Sequence, residues 1–147
     1  MVDMSRNFLH VSLIRASAAH KKSSRKNFQQ LNLTEGQPRV LSMLREMEGC
    51  HQNELASACH VEPATMTSLL RNMEQSNLIF KEKCQLPGGK RAYSIYLTEH
   101  GKKSADEVMR IVEELEKTAF EGFSEEEEKT FLDLFSRVTE NLENKDA

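Results

Sequence analysis

The sequence predicts a mainly α-helical fold with one small β wing. Apolar residues recur at three- and four-residue intervals over most of the chain, the period of helices that bury one face. Between residues 79 and 97 that period gives way to alternation around a Pro-Gly-Gly turn, the pattern of a single β-hairpin.

The first helix runs from Met4 to about Phe28, with Met4, Phe8, Val11, Ile14 and Ala18 on one face. It leaves through a basic stretch, Lys21, Lys22, Arg25 and Lys26, which is ordinarily a solvated face. A second helix is expected to begin at Thr34, because Thr34 and Gln37 have the spacing of a capping box. It buries Val40, Leu41, Leu44 and Met47 and stops at Gly49, with Pro38 slightly awkward in its first turn. After an extended Cys50-His51, a brief helix from Gln52 to Ala58 turns Leu55 and Ala56 inward. The turn His60-Val61-Glu62 leads to Pro63, whose missing amide hydrogen suits a first helical turn. That helix runs to about Gln75 on a stripe of Met66, Leu69, Leu70 and Met73, and Asn77 stops it.

Ile79 to Cys84 then alternates as a half-buried strand, Gln85 to Arg91 forms the basic tip, and Ala92 to Leu97 returns. Thr98 caps a helix carrying Val108, Ile111, Val112, Leu115 and Ala119. Ser124 and Glu127 form a second capping box for a final helix to about Leu142. The apolar set of this last helix, Phe131, Leu132, Leu134, Phe135, Val138 and Leu142, is wide for the surface of so small a domain. Part of it is expected to face another chain.

A chain of 147 residues has room for one domain, and 38% hydrophobic with 29% charged residues suits a soluble helical protein. No stretch approaches the ~18 apolar residues of a membrane helix, and the first ten residues lack a secretory apolar run. A cytoplasmic location without a membrane partner is therefore expected. Three cysteines, Cys50, Cys59 and Cys84, without a CxxC spacing argue for reduced and mostly buried thiols, with Cys84 the least buried. The net charge of −3 conceals a division. Residues 1–103 hold fifteen Lys or Arg against nine Asp or Glu, whereas residues 104–147 hold five against fourteen. The first part is thus at +6 and the second at −9, so the acidic end should point away from a polyanion.

Two short helices joined by a tight turn, followed by a β-ribbon with cations at its tip, form a helix-turn-helix with a wing, a kit suited to reading duplex DNA. Opposite its Met and Leu stripe the second helix carries Thr65, Ser68 and Arg71, with Ala64 and Thr67 near the groove-facing end. Arg71 can pair with guanine or a phosphate, the hydroxyls can serve either, and an Ala or Thr methyl can touch thymine. The helix start from Pro63 to Thr65 offers free amides to a phosphate, although Glu62 opposes that approach. Lys90 and Arg91 at the wing complete the set, for the minor groove or the backbone.

Here the chain also resembles a family. Leu33-Thr34-x-x-Gln37, Asn53-Glu54-Leu55-Ala56, Ala64-Thr65-Met66-Thr67-x-Leu69-Leu70-x-x-Met73-Glu74, Lys90-Arg91 and Leu97-Thr98-Glu99-x-Gly101 follow in an order similar to that of MarR-type transcriptional regulators, over about Phe8 to Leu142. The resemblance implies a single domain, 1–147, in which a winged helix-turn-helix lobe at 33–97 is flanked by dimerisation helices at 1–30 and 99–147. It implies a homodimer holding Phe8, Val11, Phe131, Phe135 and Val138 between chains, gripping a pseudo-palindromic operator and released by a small molecule or thiol oxidation. Family members often carry Asp-x-Arg at the wing, whereas this chain has Gly89-Lys90-Arg91, so Arg91 lacks its usual carboxylate support.

Repression is the expected role. An activator of the same fold and a winged-helix interaction module are the alternatives, the module having no need of Arg71, Lys90 and Arg91. The family's peroxide sensors hold their cysteine in the first helix, which has none here. A small aromatic or other apolar effector would need a largely apolar cleft, with His10 and Arg15 as candidate polar contacts, although such residues more often make interhelical hydrogen bonds. No catalytic residue, metal site or cofactor is expected: there is no phosphate-binding glycine loop, nucleophile elbow or paired carboxylates outside a solvated acidic helix.

Overall fold

The structure, a computed structural model, describes residues 8–145, so Met4 lies outside the described part. In chain order the elements are α1 (Leu9–Gln30), α2 (Gln37–Met47), α3 (Gln52–Cys59), α4 (Pro63–Gln75), β1 (Ile79–Gln85), β2 (Arg91–Leu97), α5 (Glu99–Ala119) and α6 (Glu125–Lys145). They form two compact units, one ending at Glu113 and the other beginning at Glu114, with α5 contributing to both.

The first unit has its core where α2, α3 and α4 meet. Val40, Leu41, Leu44, Leu55, Met66, Leu70 and Met73 are fully buried there, and Ile79, Ile95, Leu97, Ala105 and Val108 close it from the hairpin and α5. Leu69 is only partly buried, against the core rather than within it.

The start of α2 differs from the sequence expectation. Thr34 N–H does donate to Gln37 Oε1 at 3.1 Å, but the bond closes a tight turn and not a helical one, because Gly36 follows in the left-handed region at φ 89°. The helix begins at Gln37, which puts Pro38 in the first turn, where its missing amide hydrogen is not needed. The end of α4 follows the expectation: Asn77 is left-handed, its N–H donates to the Glu74 carbonyl, and Leu78 N–H donates to the Met73 carbonyl.

Strands β1 and β2 are antiparallel with Ile79 opposite Leu97 and Gln85 opposite Arg91. Strand period places Ile79, Ile95 and Leu97 on the core side, and Phe80 stacks on Tyr96 on the other face with centroids 5.3 Å apart. The stretch after α2 joins the sheet as a short edge. Gly49 N–H donates to the Ile95 carbonyl at 2.7 Å, Ile95 N–H donates to the Cys50 carbonyl at 2.9 Å, and His51 bridges to Ser94.

Outside this core α1 buries only Ser24, while Phe8, Leu9, Leu13 and Ile14 are exposed. The second unit is built on α6, whose start is capped reciprocally by Ser124 and Glu127. Phe120 meets Phe123 and Phe131 edge-on, and Phe131 stacks on Phe135, yet α6 buries none of its described residues. No described helix is long and apolar enough to cross a membrane.

Helix α5 begins at a crowded joint. Thr98 Oγ1 donates to the Asn77 carbonyl at 2.6 Å and accepts Gly101 N–H at 2.9 Å, while Thr98 N–H donates to the Leu78 carbonyl at 3.1 Å. A Cβ on Gly101 would stand 1.9 Å from the Leu78 carbonyl oxygen, closer than atoms can approach. Gly101→Ala should therefore displace α5 from the hairpin root and cost at least ~2 kcal/mol, the scale of an overpacked core. Urea unfolding of the two proteins checks this, and equal midpoints would contradict it.

Candidate nucleic-acid interface

The approach of α4 to α3 is set by a left-handed residue. His60 adopts φ 53°, its N–H donates to the Ser57 carbonyl and Val61 N–H donates to the Ala56 carbonyl, so the chain reverses within residues 60–62. Arg39 Nη1 donates to the Cys59 carbonyl at 3.3 Å and braces the end of α3 against α2.

With Met66, Leu70 and Met73 locked inward, the opposite side of α4 follows from helix geometry. Pro63, Ala64, Thr65, Thr67, Ser68 and Arg71 are all exposed. Ala64, Thr67, Ser68 and Arg71 are spaced by three and four residues and share one strip, and Thr65 lies toward its far edge. Glu62 occupies the N-cap position without bonding the first-turn amides through its side chain.

At the wing, Gly88 and Gly89 take left-handed backbone at φ 91° and 81°, Gly89 N–H donates to the Leu86 carbonyl and Leu86 N–H donates to the Lys90 carbonyl. This turn leaves Lys90 and Arg91 exposed. Among the described residues the ion pairs involve neither of them nor Arg71. Lys21, by contrast, pairs with Glu35 and holds that carboxyl below its ordinary range. The basic exit of α1 is thus partly neutralised within the chain.

The other singled-out residues lie elsewhere. His10 and Arg15 are exposed on α1. A surface cavity of about 610 Å³ is lined by Glu48, Phe80, Tyr96, Leu97, Thr98, Glu99 and Lys102, and by nothing from α1. Phe8, Phe131 and Phe135 are exposed, and Val11 and Val138 half-buried. Of the thiols only Cys59 is buried, while Cys50 and Cys84 are both half-buried. Burial pushes the Cys59 and Cys50 thiols up, away from the reactive thiolate. Cys84 Sγ lies 3.4 Å from His51 Nδ1, and Ser94 Oγ donates toward it at 3.5 Å.

A family model described as the MarR family matches residues 33–86, which run from the lead-in to α2 through β1 to the hairpin tip. Over 116 residues the chain is 31% identical to the uncharacterized HTH-type transcriptional regulator YybA of Bacillus subtilis (strain 168), a match covering 79% of this chain and 76% of that one. The chain belongs to the MarR family.

Solved structures agree with that membership. The S. aureus MepR–DNA complex has a TM-score of 0.79 at 25% identity, covering 92% of this chain and 96% of MepR. A MarR-family regulator from Listeria monocytogenes complexed with a 26mer DNA reaches 0.81 at 26% identity, covering 95% of this chain and 91% of its own. In this MarR-family chain residue 89, two before Arg91, is glycine, and Arg91 makes no ion pair among the described residues.

One contact on the exposed face of α4 has no sequence signature. Gln52, first in α3, donates from Nε2 to Thr67 Oγ1 at 2.8 Å across the turn. No period links residues 52 and 67, and only the crossing of α3 and α4 brings them together.

The thiol environments order their reactivity. In the folded protein at neutral pH Cys59 should resist a maleimide until denaturant is added, because it is buried and its thiol is pushed up. Mass mapping of the modified cysteines checks this, and rapid native labelling of Cys59 would contradict it.

Proposed function

We propose that this MarR-family protein is a cytoplasmic transcriptional repressor that binds a pseudo-palindromic operator as a homodimer and blocks polymerase. In this reading the chain is one functional domain, with 33–97 as the DNA-binding lobe and 1–30 and 99–147 as dimerisation helices. Ala64, Thr65, Thr67, Ser68 and Arg71 enter the major groove, the first turn from Pro63 receives a phosphate, and Lys90 with Arg91 reach the minor groove or backbone.

The observation that carries the reading is the exposed strip of α4 lying on the same winged helix as two wing cations that no described residue neutralises. The likeness to two regulators seen in complex with DNA supports it. Dimerisation is supported by the exposed apolar side chains of Phe8, just before α1, of Leu9, Leu13 and Ile14 in α1, and of Phe131, Leu132, Leu134 and Phe135 in α6. Release by a small aromatic or other apolar effector, with His10 and Arg15 as polar contacts, completes the proposal.

Selection of bound duplexes from a random library at two salt concentrations tests the reading. An enriched palindrome with half-sites about one helical turn apart is expected. Salt-sensitive binding without enrichment, or none, would favour the interaction module instead. On the selected duplex Arg71→Ala should lose ~1–3 kcal/mol and relax one base position, whereas Lys90→Ala should weaken all sequences alike and reduce the salt slope by about one per contact. Sedimentation at micromolar concentration should give the dimer mass, and a monomer would refute the two-fold arrangement.

A further inference from the structure

Thr67 is the one residue of the α4 strip whose side chain is held from both sides. Its Oγ1 accepts from Gln52 Nε2 at 2.8 Å and donates to the Pro63 carbonyl, one turn back, at 3.0 Å. A threonine hydroxyl carries a single hydrogen, and here it is consumed within the protein. Turning the Gln52 amide over would only redirect that hydrogen to Gln52 Oε1, so in either orientation none is left for a base acceptor or a phosphate oxygen. Holding Oγ1 between residues 52 and 63 also fixes χ1, and with it the direction of the Cγ2 methyl. Since the residue is exposed, it presents to its surroundings a methyl group at a defined position.

In the major groove only thymine displays a methyl of its own, at C5. We propose that Thr67 reads a thymine through methyl–methyl contact, and that Gln52 is the positioning residue that holds it in this role. The inference rests on the DNA-binding reading and names what one position of that interface recognises. It separates Thr67 from Ser68, its neighbour on the strip, whose hydroxyl makes no side-chain bond of this kind among the described residues.

The probe is a duplex enriched from the random library by the full chain. Each thymine of its half-site is replaced in turn by uracil, which removes only the C5 methyl, and affinities are measured for the natural protein, Thr67→Val, Thr67→Ser and Gln52→Ala. At one thymine, uracil should weaken the natural protein and Thr67→Val by about fourfold per half-site, which is ~0.8 kcal/mol for one buried methyl at ~1.4 kcal/mol per tenfold. Thr67→Ser should start about fourfold weaker per half-site and be indifferent to uracil at that position. Gln52→Ala should discriminate less between the two bases there, while keeping the rest of its sequence preference. The assignment is overturned if Thr67→Val binds as poorly as Thr67→Ser, or if uracil costs the serine variant as much as the natural protein at every thymine. Failure to enrich any duplex overturns the DNA-binding reading itself, an outcome distinct from a selected operator with no coupling to Thr67.

Discussion

The carbonyl oxygen of Leu78 receives the amide of Thr98 and lies against Gly101, and at this point the end of α4, the root of the hairpin and the start of α5 are held together. The hydrogen bond alone is worth about 1 kcal/mol, so its weight comes from geometry. Asn77 must turn left-handed to deliver Leu78, Thr98 must bond back to Asn77, and position 101 must have no side chain. If one of these conditions fails, the wing and α4 lose their common reference.

Around that joint the core does two tasks with the same residues. Met66, Leu70 and Met73 bury one side of α4 completely, and by doing so they fix which side remains outside. The left-handed His60 and the brace from Arg39 to the Cys59 carbonyl set how α3 meets α4. Thus the exposed face of α4 contains few interactions of its own. Its order is borrowed from packing beneath, with Gln52 and Thr67 as the exception.

Much of this was legible in the sequence, for identifiable reasons. The stripe of α4, Leu69 excepted, the proline that opens it, the asparagine that ends it and the glycine turn of the wing are local signals, and each lies where local chemistry places it. The start of α2 was misread because the Thr34–Gln37 bond is real but closes a turn: a spacing reports a hydrogen bond, not the backbone on either side of it. The pairing of Gln52 with Thr67 and the proximity of Cys84 to His51 were illegible because they depend on how separate elements cross. The wide apolar face of α6 is legible because a helix repeats its pattern whether its partner is present or not, and within the chain none of its described residues is buried.

The short edge formed by Gly49 to His51 carries a consequence for local opening. Because the amides of Gly49 and Ile95 are bonded across it, the segment between α2 and α3 cannot fray without taking hydrogen bonds from β2. Subglobal openings follow such shared bonds, so the α2–α3 connection and the return strand of the wing belong to one foldon. These two amides should share one opening free energy in hydrogen exchange, and the tip glycines, which lie beyond that edge, should open independently of them.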